Sequence, residues 1–309
     1  VTTIAAQLER FGPERCEAMS AQAARDWCRQ LASSHYENFS VLSTLVPTRL
    51  REDFAVVYAF CRWSDDLGDE MGSCQRAQEL LGWWRQELDA CFAGAPRHPV
   101  FVALQPTIAR HNLPMAPFAD LIAAFQQDQV KSRYATWAEL EDYCTRSANP
   151  VGRLVLGLFQ EATPERVALS DCTCTALQIT NHIQDVRRDL LERDRIYLPR
   201  EATAGIADFD ERLRSSAVQG FACDHRFLAE YREAIAPLVD RTWTLFGRGH
   251  ALLPMLSAES RPVVRLFGQG GQTVLRSIQD WNFETCLHRP KLGALTKFRL
   301  LARAWWSAP

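Results

Sequence analysis

A chain of 309 residues with 47% hydrophobic and 23% charged side chains and a formal net charge of −2 can bury a sizeable globular core, and its composition is neither fibrous nor disordered. The near-neutral charge, without a Lys/Arg-rich block, excludes a general pull toward nucleic acid, and no apolar run approaches the length of a membrane span. Its ten cysteines stand singly apart from Cys172 and Cys174, without disulfide-framework or zinc spacing, so reduced thiols in a soluble cytoplasmic protein are expected.

The amino-terminal VTTIAAQLERFGPERC has no basic region leading into an apolar one, so no signal peptide is expected. Apolar residues then recur at spacings of three and four over 50–67, 77–92 and 118–130, which predicts helices. The same period returns over 137–144, 151–159 and 166–191, and again over 220–246, 261–287 and 292–306. Between these segments SSHYENFS, GAPRHP, NLPMAP, SANP, EATPER, LPREATAG and LLPMLSAESRP supply caps and breakers. Alternating strand-like runs bounded by hairpin dipeptides are missing. The expectation is an all-α protein of roughly ten helices, one domain over 1–309, with 195–210 as its longest irregular stretch.

Into this pattern falls YAFCRWSDDLGDE, 58–70. Its three aspartates repel one another at helical spacing, and aspartate is a mediocre helix former. A second segment, LQITNHIQDVRRD, sets Gln178, Asn181, Asp185 and Asp189 along one helix face. Tyr58, Arg62, Asp65 or Asp66, and Asp69 follow the same rule. Taken singly, the first cluster reads as a solvated helix end and the second as an exposed face of mixed charge. Their recurrence on helices that are strongly apolar just upstream points instead to carboxylates carried toward a core, where they need cations.

The cation that fits is Mg²⁺, which takes carboxylate oxygens and completes its octahedron with water and substrate phosphates. Several such ions between two carboxylate helices would bind a diphosphate. Arg62, Arg195 and the hydroxyls of Tyr58 and Tyr197 would contact its remaining oxygens. The expected chemistry is metal-assisted loss of a diphosphate leaving group, with no side-chain nucleophile, inside a helical apolar cavity that shelters a carbocation.

HYENF (35–39), YAFCRWSDDLGDE and LQITNHIQDVRRD…DRIYLP (177–199), in this order, resemble the squalene/phytoene synthase family, and the likeness extends from Ser33 to the HRPKL segment. The resemblance implies the isoprenoid-synthase (terpenoid synthase) helical fold with a central cavity, a Mg²⁺ cluster and long-chain prenyl diphosphate substrates. It assigns the first acidic motif to Asp65, Asp66 and Asp69, with Arg62 and Tyr58 on the diphosphate side. The second motif falls on Gln178, Asn181, Asp185 and Asp189, followed by Arg195 and Tyr197. The metal ligands implied are Asp65, Asp69, Asn181, Asp185 and Asp189. His35, Tyr36, Asn38, Phe39, Tyr143, Asn149, Gly152 and Phe267 fall where the family meets its substrate.

Departures from the family pattern select a branch. Carotenoid-type members usually carry HS.SF where this chain has HYENF, and YCY.VAG.VG where it has YCTRSANPVG (143–152). A tyrosine common near the end of the cavity is Phe267 here. HYENF and YC.RSANPVG resemble the bacterial hopanoid-pathway branch that makes hydroxysqualene. That branch ionises presqualene diphosphate, rearranges the cyclopropylcarbinyl cation and quenches it with water. Asn149, or Glu37 and Asn38, would position the water, while Asn149 and Pro150 also read as a helix start. No G-x-G-x-x-G stands between a strand and a helix. GQGGQT (268–273) sits inside a helical pattern, where close packing or room for a substrate tail accounts for it, so water is the simpler terminator.

The nearest rival is head-to-head joining of two farnesyl or geranylgeranyl diphosphates, which needs the same motifs. A non-catalytic assembly factor of the same fold is disfavoured by the intact carboxylates. The partners implied are presqualene or farnesyl diphosphate, diphosphate and other squalene-pathway enzymes. A C30 product suggests peripheral contact with the inner face of the cell membrane, although the basic, Trp-bearing stripe 297–306 reads first as packing on the domain. Whether Arg289 and Lys291 reach the diphosphate is open at this level.

Overall fold

The computed structural model describes residues 3–35, 45–222, 224–291 and 293. Tyr36, Glu37, Asn38 and Phe39, the side chain of His35 and nearly all of the predicted helix 292–306 lie outside the described residues. In chain order the helices are α1 (Ile4–Phe11), α2 (Ala21–His35), α3 (Arg51–Asp69), α4 (Cys74–Phe92), α5 (Pro99–His111) and α6 (Ala116–Asp128). They continue with α7 (Trp137–Ser147), α8 (Asn149–Leu158), α9 (Pro164–Gln184), α10 (Val186–Arg193), α11 (Arg200–Thr203), α12 (Phe209–Gln219), α13 (His225–His250) and α14 (Arg261–Asp280). Among the described residues there is no strand, only the isolated bridges Phe11 with Cys16 and Arg133 with Ile196. The all-α expectation holds. No helix among them is long and apolar enough to cross a membrane.

Several elements depart from the sequence expectation. α5 was hidden between two breaker clusters and contains Pro106, which usually argues against a helix interior. It forms because Val100, Phe101, Ala103 and Leu104 are buried and His98 caps it, its Nδ1 accepting from the Val100 N–H at 3.2 Å. The stretch 195–210 is interrupted by α11 and leads into α12. The predicted helix 166–191 is divided at Asp185, and that over 261–287 ends at Asp280, after which Asn282 and Phe283 take positive φ angles of 55° and 62°.

The chain forms two compact units, Val1–Val130 with Pro150–Val167, and Lys131–Asn149 with Ala168–Pro309. In the first, α3 buries Phe54, Val57, Phe60, Trp63 and Leu67. Its centre is aromatic: Phe60 meets Phe118 edge-on at 5.0 Å, and Trp63 stacks on Trp84 at 5.4 Å. Such pairs add about 1 kcal/mol each to the burial of apolar area. Near the start of α3, the buried Asp53 carboxylate accepts from Thr107 Oγ1 (2.7 Å) and Arg110 Nη1 (2.9 Å) and meets His111 Nε2 (2.9 Å), which ties α3 to α5.

In the second unit, α9 packs closely on α13 and α14. A Cβ on Gly249 would collide with Thr173, and one on Gly271 would collide with Leu177 and lie 2.8 Å from Phe246 Cζ. Close helix packing therefore accounts for one glycine of GQGGQT, whereas around Gly270 there is open space.

Candidate active site

In the first unit the acidic residues crowd the end of α3. Burial of the helix's apolar face draws the carboxylates inward, and α6 clamps the end: Gln129 Nε2 donates to the Gly68 and Phe125 carbonyls, each at 3.0 Å. Arg62, one turn beyond the half-buried Tyr58, donates from Nε to Asp66 Oδ2 (3.1 Å) and from Nη2 to Glu70 Oε1 (3.2 Å). Its Nη1 lies 3.6 Å from Asp65 Oδ2.

Asp66 is the most buried of the three aspartates, with a side chain 7% exposed, against 43% for Asp65. Burial pushes the Asp66 carboxyl up to about 7, while Arg62 pulls it down and Glu70 and Asp65 oppose that pull. Its buried Oδ1 lacks an aligned hydrogen-bond donor, although the Arg62 guanidinium lies against it. Asp65 and Asp69 stand one turn apart and only half-buried.

In the second unit Gln178 is half-buried and Asn181 exposed on α9. The backbone leaves helical geometry at one residue, Asp185 (φ −101°, ψ 8°). Even so, the Asp185 N–H donates to the Asn181 carbonyl and the Asp189 N–H to the Asp185 carbonyl, both at 2.9 Å. These two bonds keep Asn181, Asp185 and Asp189 in line across the break. Both carboxylates are buried. Arg188 Nη2 lies 2.9 Å from Asp185 Oδ2 and 3.0 Å from Asp189 Oδ1. Arg193 approaches Asp189 at 3.8 Å, and Arg289 pairs with Asp185 through Nε and Nη2. Burial raises the Asp189 pKa, with Arg188 the main opposing influence.

Arg195 is buried and anchored to the second motif, its N–H donating to the Asp189 carbonyl at 3.0 Å. The turn before it depends on Asp194 at φ 52°, gripped by Arg133 Nη2 (3.1 Å). Tyr197 stacks on His182 with centroids 3.8 Å apart, within reach of Tyr134 (5.6 Å) and Tyr143 (5.7 Å). Burial, reinforced by Arg188, lowers the His182 pKa to about 3, so this ring is neutral. Asn149, expected as a helix start, is the first residue of α8, and its Oδ1 accepts from Thr175 Oγ1 of α9 at 2.9 Å. Gly152 on α8 and Phe267 on α14 are half-buried.

Five residues at these clusters were not singled out from sequence: Glu70, Tyr134, His182, Arg188 and Arg193. Arg188 and Arg193 were legible in principle, lying three and four residues from Asp185 and Asp189. Arg289 was named from sequence only as a residue whose reach to the diphosphate is open; nothing local signals its pairing with Asp185, 104 residues away.

The donors present suit a hard cation. In the first unit Asp65 and Asp69, and in the second Asn181, Asp185 and Asp189, each offer oxygen of the kind such a cation takes. Among the described residues no three His, Cys, Asp or Glu side chains come together as a metal-binding group; arginines hold the carboxylates.

The sequence profile of squalene/phytoene synthase matches residues 32–296, most of the chain and both acidic helices. The chain belongs to the squalene/phytoene synthase family. Its helices superpose on the crystal structure of squalene synthase HpnC from Alicyclobacillus acidocaldarius with a TM-score of 0.76, at 43% identity, covering 85% of this chain and 95% of that one. The fold is therefore the all-α isoprenoid-synthase fold of that family. A hydroxysqualene synthase from Rhodopseudomonas palustris is 34% identical over 219 residues, 70% of either chain. A 15-cis-phytoene synthase from Synechocystis sp. is 32% identical over 206 residues, 63% of this chain and 61% of its own length. The first curated squalene/phytoene synthase relatives are thus matched over about six tenths of their length.

Proposed function

We propose that this chain is a Mg²⁺-dependent enzyme that converts presqualene diphosphate to hydroxysqualene. The observation that carries the reading is the pair of buried carboxylates, Asp185 and Asp189, held in line with Asn181 and balanced by arginines. Such an arrangement is expensive for folding alone and suits a site that receives cations and an anion together. Similarity at 34% identity to proteins named hydroxysqualene synthase directs the reading to this branch.

In this reading Asp65, Asp69, Asn181, Asp185 and Asp189 hold the metal, which when bound neutralises charge on the leaving diphosphate. Arg62, Arg195, Tyr58 and Tyr197 donate hydrogen bonds to diphosphate oxygens. The carbon–oxygen bond breaks with both electrons leaving on the diphosphate, and the cyclopropylcarbinyl cation rearranges. The rings of Tyr134, Tyr143 and Tyr197 pack with His182 into one buried aromatic cluster that holds Tyr197 in place. A water oxygen then forms the new carbon–oxygen bond and its proton passes to solvent or diphosphate. Asn149, whose Oδ1 is engaged by Thr175, offers its Nδ2 to orient that water.

The second reading, head-to-head prenyl transfer, is favoured by relatives named phytoene synthase at 32–34% identity. Product analysis separates the two. Incubation with presqualene diphosphate, Mg²⁺ and ¹⁸O-labelled water, without NADPH, is expected to give a C30 alcohol carrying the label. Unreacted presqualene diphosphate, with condensation products from farnesyl or geranylgeranyl diphosphate, would establish the second reading instead.

A further inference from the structure

Asp185 carries a side chain only 7% exposed, yet two guanidinium groups reach it. Arg188 Nη2 lies 2.9 Å from Oδ2, while Arg289 pairs Nε with Oδ1 and sets Nη2 3.2 Å from Oδ2. Both oxygens are therefore engaged by nitrogen donors. The two arginines differ in how they are held. Arg188 lies on α10, three residues on, and divides itself between Asp185 and Asp189. Arg289 arrives from the non-helical segment after α14, and its side chain is 37% exposed. Its backbone is fixed beside the motif, because Gln184 Nε2, from the residue preceding Asp185, donates to the Pro290 carbonyl.

A divalent ion bound by Asp185 needs a carboxylate oxygen at about 2.1 Å, which leaves no place for a guanidinium on that oxygen and sets two like charges against each other. We propose that Arg289 is the resident counter-ion of Asp185 in the metal-free protein and is exchanged for the divalent cation, so that metal binding must displace an arginine. This rests on the assignment of Asp185 as a metal ligand. The neutralised carboxylate can stay buried without metal, which answers the cost of an unpaired buried charge. The displaced guanidinium remains tethered through Gln184 and Pro290, beside the anion that accompanies the metal. Arg289 is thus a positioning residue whose removal strengthens metal binding.

The test is Mn²⁺ binding to the full chain without diphosphate, followed by loss of the free-ion paramagnetic resonance signal, for the wild type, Arg289→Gln, Asp185→Asn and the double variant. Arg289→Gln is expected to tighten binding about tenfold, the equivalent of one charge-assisted hydrogen bond. The gain should vanish when Asp185→Asn is also present. Arg289→Lys, which keeps the charge but not the two-pronged contact, serves as the second variant and is expected to give a smaller gain. Unchanged or weaker binding in both Arg289 variants, with loss of affinity in Asp185→Asn, would overturn the exchange and leave the metal site standing. No saturable binding in any protein, wild type included, would overturn both.

Discussion

Asn149 Oδ1 accepts a hydrogen bond from Thr175 Oγ1 at 2.9 Å, and both side chains are buried. The asparagine therefore has a structural partner before any substrate water is considered. Asn149→Ala leaves the Thr175 hydroxyl without its acceptor and is expected to lower stability by about 1–3 kcal/mol, read by chemical denaturation. If Asn149 also orients the quenching water, the alcohol-to-hydrocarbon ratio falls with it. A ratio that stays at the wild-type value in a folded Asn149→Ala protein would confine the residue to its bond with Thr175.

Asp65→Ala and Asp185→Ala are each expected to reduce turnover by roughly a thousandfold or more, the loss of several kcal/mol of charge stabilisation. The far-ultraviolet circular dichroism should not change. Chelation should silence the wild type reversibly, with Mg²⁺ restoring it. Substantial activity in either variant would remove these carboxylates from the metal site.

His98 is enclosed by Phe11, Trp27, Trp63, Trp83, Trp84 and Phe101, and burial lowers its pKa well below the usual value of 6.5. The unfolded chain takes up a proton below pH 6.5 that the folded protein refuses. Stability is therefore full above that pH and lost as pH falls, by up to about 1.4 kcal/mol per pH unit for this group. His98→Asn retains an acceptor for the Val100 N–H but cannot titrate. Its denaturation free energy should fall less steeply between pH 6 and 5; an acid slope equal to the wild type's would contradict a neutral buried His98.

Two neighbouring glycines on α14 should respond in opposite directions. Gly271→Ala pushes a methyl group into Leu177 and Phe246 and is expected to cost about 1–3 kcal/mol. Gly270→Ala meets nothing within 4 Å and is expected to stabilise the helix by up to about 1 kcal/mol. Thermal denaturation of the two variants checks the pair, and equal shifts would mean that α14 does not pack closely on α9 through Gly271.

The helical elements were legible because apolar periodicity is local, and it fails where local signals conflict. α5 hid behind Pro106 and its flanking breakers, since only the burial of Val100, Phe101 and Leu104 decides its favour. The break at Asp185 was invisible because the hydrogen bonds on either side of it keep helical spacing. On the acidic helices, periodicity placed Asp65 with Asp69 and Asp185 with Asp189, but it could not tell that Asp66 would be more buried than Asp65.

What the sequence by itself determined is the all-α class and the order of carboxylates along two helices, which depend on residues within one or two turns of each other, and the family, which depends on three such local motifs and their order along the chain. What only the tertiary structure decided is how those carboxylates are neutralised and what surrounds them. Arg289 reaches Asp185 across 104 residues, Thr175 engages Asn149 across 26, and His182 stacks on Tyr197 from the other side of a helix break. Each arises because a buried charge, hydroxyl or ring must find a partner when water is removed, and folding, not chain proximity, selects which partner is there.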